Sequence, residues 1–113
     1  MKKFVALYLV PRSTLEQMAK ATPEQMKAGM DAWMKWAKTN EKALVDLGAP
    51  LGKTKRVTAQ GVSDTKNEIT GYSIVHADSL DSAAKLFAGS HPHFHMPGAS
   101  VEVLECAPIP GMN

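Results

Sequence analysis

The chain has 113 residues, 44% hydrophobic and 21% charged, which bounds it to a single domain, 1–113, with one core and excludes a multidomain enzyme. Eight glycines and seven prolines are spread thinly, so neither a disordered tail nor a fibrous repeat fits. The formal net charge is only +2, with Lys53, Lys55 and Arg56 the nearest approach to a basic cluster, so nucleic acid is not an expected partner; the single cysteine, Cys106, cannot form an internal disulfide and suits a reducing, cytoplasmic setting.

Met1 to Val10 begins like a secretory signal, but the apolar run stops at Pro11 and Arg12, far short of the roughly 20 residues a membrane-spanning helix needs. No membrane partner is expected. The run instead predicts a first strand over 3–10, buried on both faces. Residues 11–21 read as a loop or a loosely held helical turn. A helix is predicted over 23–47: Thr22 caps it, Pro23 suits the first helical position, and Glu24 complements the N-terminal dipole. Met26, Met30, Trp33, Ala37, Leu44 and Leu47 share one face of that helix, and Gly48 with Pro50 supplies the stop.

Two strands are predicted over 54–61 and 68–76, joined by a hairpin turn over 62–67. Ser79 caps a second helix of about ten residues, whose stripe is Leu80, Ala83, Ala84 and Phe87, and Gly89 ends it. Pro97 and Gly98 lead into a last strand over 99–107, and the Pro- and Gly-rich tail from Pro108 does not continue it. The order β-α-β-β-α-β predicts an α+β, ferredoxin-like fold with a four-stranded antiparallel sheet and two helices on one face. Helices cover only that face, whereas the alternating residues of the first strand, with Ile74, Val101 and Val103, make both faces apolar. A second copy packing sheet to sheet is the expected remedy, so the chain is expected to form a homodimer.

The densest chemical signal is His91-Pro92-His93-Phe94-His95. In an extended segment, side chains at i, i+2 and i+4 point the same way, and three imidazoles converging on a cleft can supply acid–base chemistry near neutral pH. On that reading His91 and His93 are the catalytic candidates, with His95, Arg12, Trp33 and Glu102 as substrate-binding candidates. Arg12 directly follows the first strand, where a guanidinium can reach an anionic substrate; plain surface solvation is its simpler role. Three imidazoles also suit a divalent metal, yet no His-Glu-x-x-His or Cys-x-x-Cys accompanies them and no metal is expected. A structural role, one histidine bonding the helix end and the others solvated, stays open. Gly48-Ala49-Pro50-Leu51-Gly52 lacks a phosphate-loop pattern and no residue stands out as a heme ligand, so no cofactor is expected. Cys106 reads as a buried, inert thiol.

The segments Gly71-Tyr72-Ser73-Ile74-Val75, Asp78-Ser79-Leu80-Asp81, Ala83-Ala84, His91-Pro92 and Ser100-Val101-Glu102-Val103 resemble the YCII-related (YciI-like) family of dimeric α/β-barrel proteins, over nearly the whole chain. That resemblance implies a ferredoxin-like fold, sheet-to-sheet dimers and a cleft between helices and sheet. Two functions compete. One is a small cofactor-free enzyme using His91 or His93 on a compact aromatic or lactone-like substrate. The other is a non-enzymatic dimeric module that binds a metabolite or a partner protein.

Overall fold

Phe4, Ala6 and Tyr8 recur at every second position of the first strand, β1 (Lys2–Leu9), and that period places all three on one face, where each is buried. The computed structural model describes residues 1–89 and 91–111; Ser90 and the last two residues of the tail lie outside them. β1 is central in a four-stranded antiparallel sheet ordered β2-β5-β1-β6, with β2 at Leu44–Asp46, β5 at Ile69–Ala77 and β6 at Ser100–Glu105. A long helix, α2 (Pro23–Thr39), and a short one, α3 (Leu80–Lys85), pack on the face that Phe4, Ala6 and Tyr8 share. Trp36, Ala37, Ala83 and Phe87 join Val75 and Ala77 there in one buried cluster. The protein is thus α+β. No helix among the described residues is long and apolar enough to cross a membrane.

Local signals set the helix starts. Thr22 Oγ1 accepts from the Gln25 amide at 3.1 Å and Gln25 Oε1 accepts from the Thr22 amide at 2.9 Å, a reciprocal capping box with Pro23 in the first turn. Ser79 Oγ accepts from the Ser82 amide at the start of α3. Residues 12–18 form a further short helix, α1 (Arg12–Met18), anchored where the Thr14 hydroxyl donates to the Pro97 carbonyl at 2.7 Å.

Six expectations are corrected: the second helix, expected to run about ten residues, spans only Leu80–Lys85, the first strand, expected to be buried on both faces, is fully buried on one alone, and four others follow. The helix predicted over 23–47 stops at Thr39, because the Asn40 side chain donates to the Trp36 carbonyl and the chain turns; Leu44, which continues the helical period, enters the core instead from β2, opposite Val75. Met26 and Met30, expected on the buried stripe of that helix, are more than half exposed. The hairpin pairs β3 (Thr54–Thr58) with β4 (Gly61–Thr65) about a tight turn at Ala59–Gln60, outside the main sheet, while β5 is a separate strand beside β1. Cys106 is exposed, just past the end of β6.

On the opposite face of the sheet, cross-strand partners Val5 and Ile74, and Leu7 and Tyr72, all keep partial exposure. β6 adds Glu102 and Leu104 to this face beside Leu7 and Val5, whereas Val101 and Val103 turn toward the helices and pack on the buried cluster. The protruding hairpin, with Val57 paired to Val62 and both largely exposed, spreads the molecule to 48 × 45 × 19 Å. Its radius of gyration, 15.8 Å, exceeds the roughly 13 Å of a compact chain this long.

Candidate functional site

The histidine segment is not extended. Pro92 presets the backbone for a 3₁₀ turn over Pro92–His95, and the His91 side chain caps it: Nδ1 accepts from the His93 amide at 3.0 Å. The Phe94 amide closes the turn on the His91 carbonyl at 3.1 Å. In this geometry the alternate-residue rule no longer applies. His91 and His93 turn inward, each 1% exposed, while His95 stays in solvent. Among the described residues, no group of three or more His, Cys, Asp or Glu side chains is placed to hold a metal ion.

His93 is a clamp between two strands. Its Nε2–H lies 3.0 Å from both the Leu9 carbonyl at the end of β1 and the Ser100 carbonyl at the start of β6, and a nitrogen facing two acceptors must carry the proton. Burial pushes the His93 pKa down, and the two carbonyls pull it partly back.

His91 sits inside an aromatic cage. Its ring centroid lies 4.4 Å from Trp36, 4.5 Å from Trp33, 5.2 Å from Tyr8 and 5.7 Å from Phe87, with steep, edge-to-face angles to both tryptophans. Since Nδ1 is the acceptor, the proton of the neutral ring resides on Nε2, a buried atom without a hydrogen-bond partner among the described residues. Burial, and secondarily the neighbouring His93, lowers the His91 pKa to about 4, so the ring is neutral at physiological pH.

A third polar element completes the cluster. Ser73 spends its hydroxyl proton on the Leu47 carbonyl at 2.7 Å, so the Tyr8 hydroxyl donates to Ser73 Oγ at 2.8 Å. Leu47 reaches this point because Gly48 follows it at φ 85°, where a side-chain Cβ would sit 1.7 Å from the Tyr72 carbonyl oxygen. Burial raises the Tyr8 pKa to about 12, and the Ser73 bond offsets only part of that rise. Neither Tyr8 nor Ser73 stands out in the sequence as a site residue. Their only signal is polarity at the inward positions of apolar strands.

A general acid or base must reach the proton it moves. His91 and His93 are buried, and backbone groups engage one ring nitrogen of each, His91 Nδ1 and His93 Nε2. The four substrate-binding candidates do not converge either. Trp33 is half-buried in the aromatic cage; Glu102 is exposed on the opposite face of the sheet. His95 lines a groove of about 550 Å³ between α2 and α3, beside Lys35, Trp36 and Lys85. Arg12 lines a larger groove of about 830 Å³ between α1 and the root of the β3–β4 hairpin. Comparison with known proteins finds no family model and no curated sequence that matches the chain.

Proposed function

We propose that this protein is a ferredoxin-like, YCII-related binding module of the cytoplasm that pairs with a second copy through its sheet, rather than an enzyme driven by His91 or His93. The observation that carries this reading is the sheet face its own helices leave uncovered, where Val5, Leu7, Tyr72 and Ile74 meet Leu104. The strand order β2-β5-β1-β6, with helices after β1 and β5, supports the ferredoxin-like reading, the β3–β4 hairpin being an addition to it. Enclosure of both inward histidines counts against acid–base catalysis and in favour of a module whose surfaces do the binding.

One atom favours the competing enzyme reading: His91 Nε2, buried and unpartnered, is a group a substrate in an opened cluster would satisfy. Sedimentation at micromolar concentration separates the issue of assembly, with a species of twice 12.2 kDa expected for the wild type and 12.2 kDa for Leu7→Glu, whose circular dichroism stays native. A wild type that sediments only at 12.2 kDa overturns the pairing.

A further inference from the structure

The groove beside α1 combines two chemistries. Leu15, Leu51 and Ile69 line it with apolar surface, and Arg12, Lys53 and Lys66 line it with cations. Among the described residues none of these three cations has a carboxylate within 4 Å, whereas Lys55, also in the lining, is tied to Asp64. Counting Glu16 as well, the groove has four cationic side chains against two carboxylates, a surplus equal to the +2 of the whole chain. The smaller groove, lined by Lys35 and Lys85 without a carboxylate, carries a surplus of the same size, but there the cations border Trp36 and His95 rather than an aliphatic wall.

Arg12 is also badly placed for its own helix. It is the first residue of α1, where the partial positive charge of the helix end disfavours a cation; α1 has no acidic residue in its first turn and no side-chain cap. The smaller groove differs on this point, since its Lys85 lies in the last turn of α3, where a cation complements the dipole.

We propose that the Arg12 groove binds small organic anions, a carboxylate carried on an apolar body. The Arg12 guanidinium engages the carboxylate through paired N–H donors, Lys53 and Lys66 supply the surrounding field, and the body lies against Leu15, Leu51 and Ile69. This names a ligand class for the binding reading above and rests on it, while being independent of whether the chain dimerises.

The test titrates the full-length protein with benzoate, hexanoate, benzyl alcohol and inorganic phosphate, followed by methyl NMR. The two carboxylates are expected to shift Leu15, Leu51 and Ile69 saturably, and the neutral alcohol and phosphate to bind at least roughly tenfold more weakly, each lacking one half of the recognition. Arg12→Gln is expected to weaken benzoate binding by about tenfold or more, and Arg12→Lys by less, with unchanged thermal stability because Arg12 is exposed. Absence of saturable shifts, equal binding of phosphate, or shifts confined to the smaller groove overturns the proposal. Loss of benzoate binding in His93→Ala with Arg12→Gln unaffected would overturn both it and the binding-module reading, whereas a wild-type monomer that still binds benzoate removes only the pairing.

Discussion

In the aromatic cluster, four polar side chains, Tyr8, Ser73, His91 and His93, are buried, and most of their hydrogen-bonding capacity is directed at the protein itself. In the Arg12 groove the charged groups face solvent, and Arg12, Lys53 and Lys66 have no ion-pair partner among the described residues. The contrast separates two uses of polarity that composition does not distinguish. Buried polar groups that are satisfied by backbone carbonyls and hydroxyls specify how strands and turns meet, while exposed cations beside an apolar lining leave their hydrogen-bonding capacity to solvent or to a ligand. The segment most conspicuous in the sequence is thus built into the fold, and it is the less conspicuous Arg12 on which the proposed recognition rests.

The sharpest way to break that contrast is truncation in the cluster. His91→Ala empties the space between Trp33, Trp36, Tyr8 and Phe87 and leaves the His93 amide without its acceptor, so a loss of about 3 kcal/mol is expected in urea denaturation. A loss below 0.5 kcal/mol, roughly the size of an ordinary surface substitution, would mean that the cluster is not a structural element.

Acid should act on the same ring. Because the folded pKa of His91 lies at about 4, below the unfolded value of 6.5, the unfolded chain takes up the proton first as the pH falls. Stability is therefore complete above about pH 6.5, declines toward pH 4 at up to about 1.4 kcal/mol per pH unit for this site, and loses nothing more from it below that. His93, also lowered by burial, adds in the same direction. Denaturation midpoints across pH 4–8 check this: His91→Phe should flatten the profile, and an equally steep profile in that variant would assign the acid sensitivity elsewhere.

A smaller effect sharpens the picture at the Tyr8–Ser73–Leu47 chain. Tyr8→Phe keeps the ring against Trp33 and Phe87 but removes the donor to Ser73, whose own bond to Leu47 survives, so about 1 kcal/mol should be lost. A loss of several kcal/mol would show that the hydroxyl does more than satisfy Ser73.

Much of the scaffold is readable residue by residue. The strands at 3–10, 68–76 and 99–107 correspond to β1, β5 and β6 because alternation and flanking turn residues act over a few positions, and the helix starts at Thr22 and Ser79 are fixed by side chains three residues or fewer from the amides they cap. The site was less readable. Spacing placed His91, His93 and His95 together only on the premise of an extended backbone, and Pro92 with the His91 cap removed that premise. Arg12 was visible as a cation after a strand, but nothing in its neighbourhood along the chain announced Lys53, Lys66 or Ile69 across the groove.

Caps, alternating strands and the apolar surplus on the sheet can be read from neighbouring residues alone. Long-range packing settles that Leu44 joins β2 rather than prolonging a helix, that the 54–65 segment pairs with itself, and that His91 is enclosed by Tyr8 of β1, Trp33 and Trp36 of α2, and Phe87. The two differ in range. Caps and periodicity are settled by neighbours within a turn or two, whereas strand partners, burial and the pKa of a buried ring depend on groups that come together only when segments tens of residues apart pack against one another.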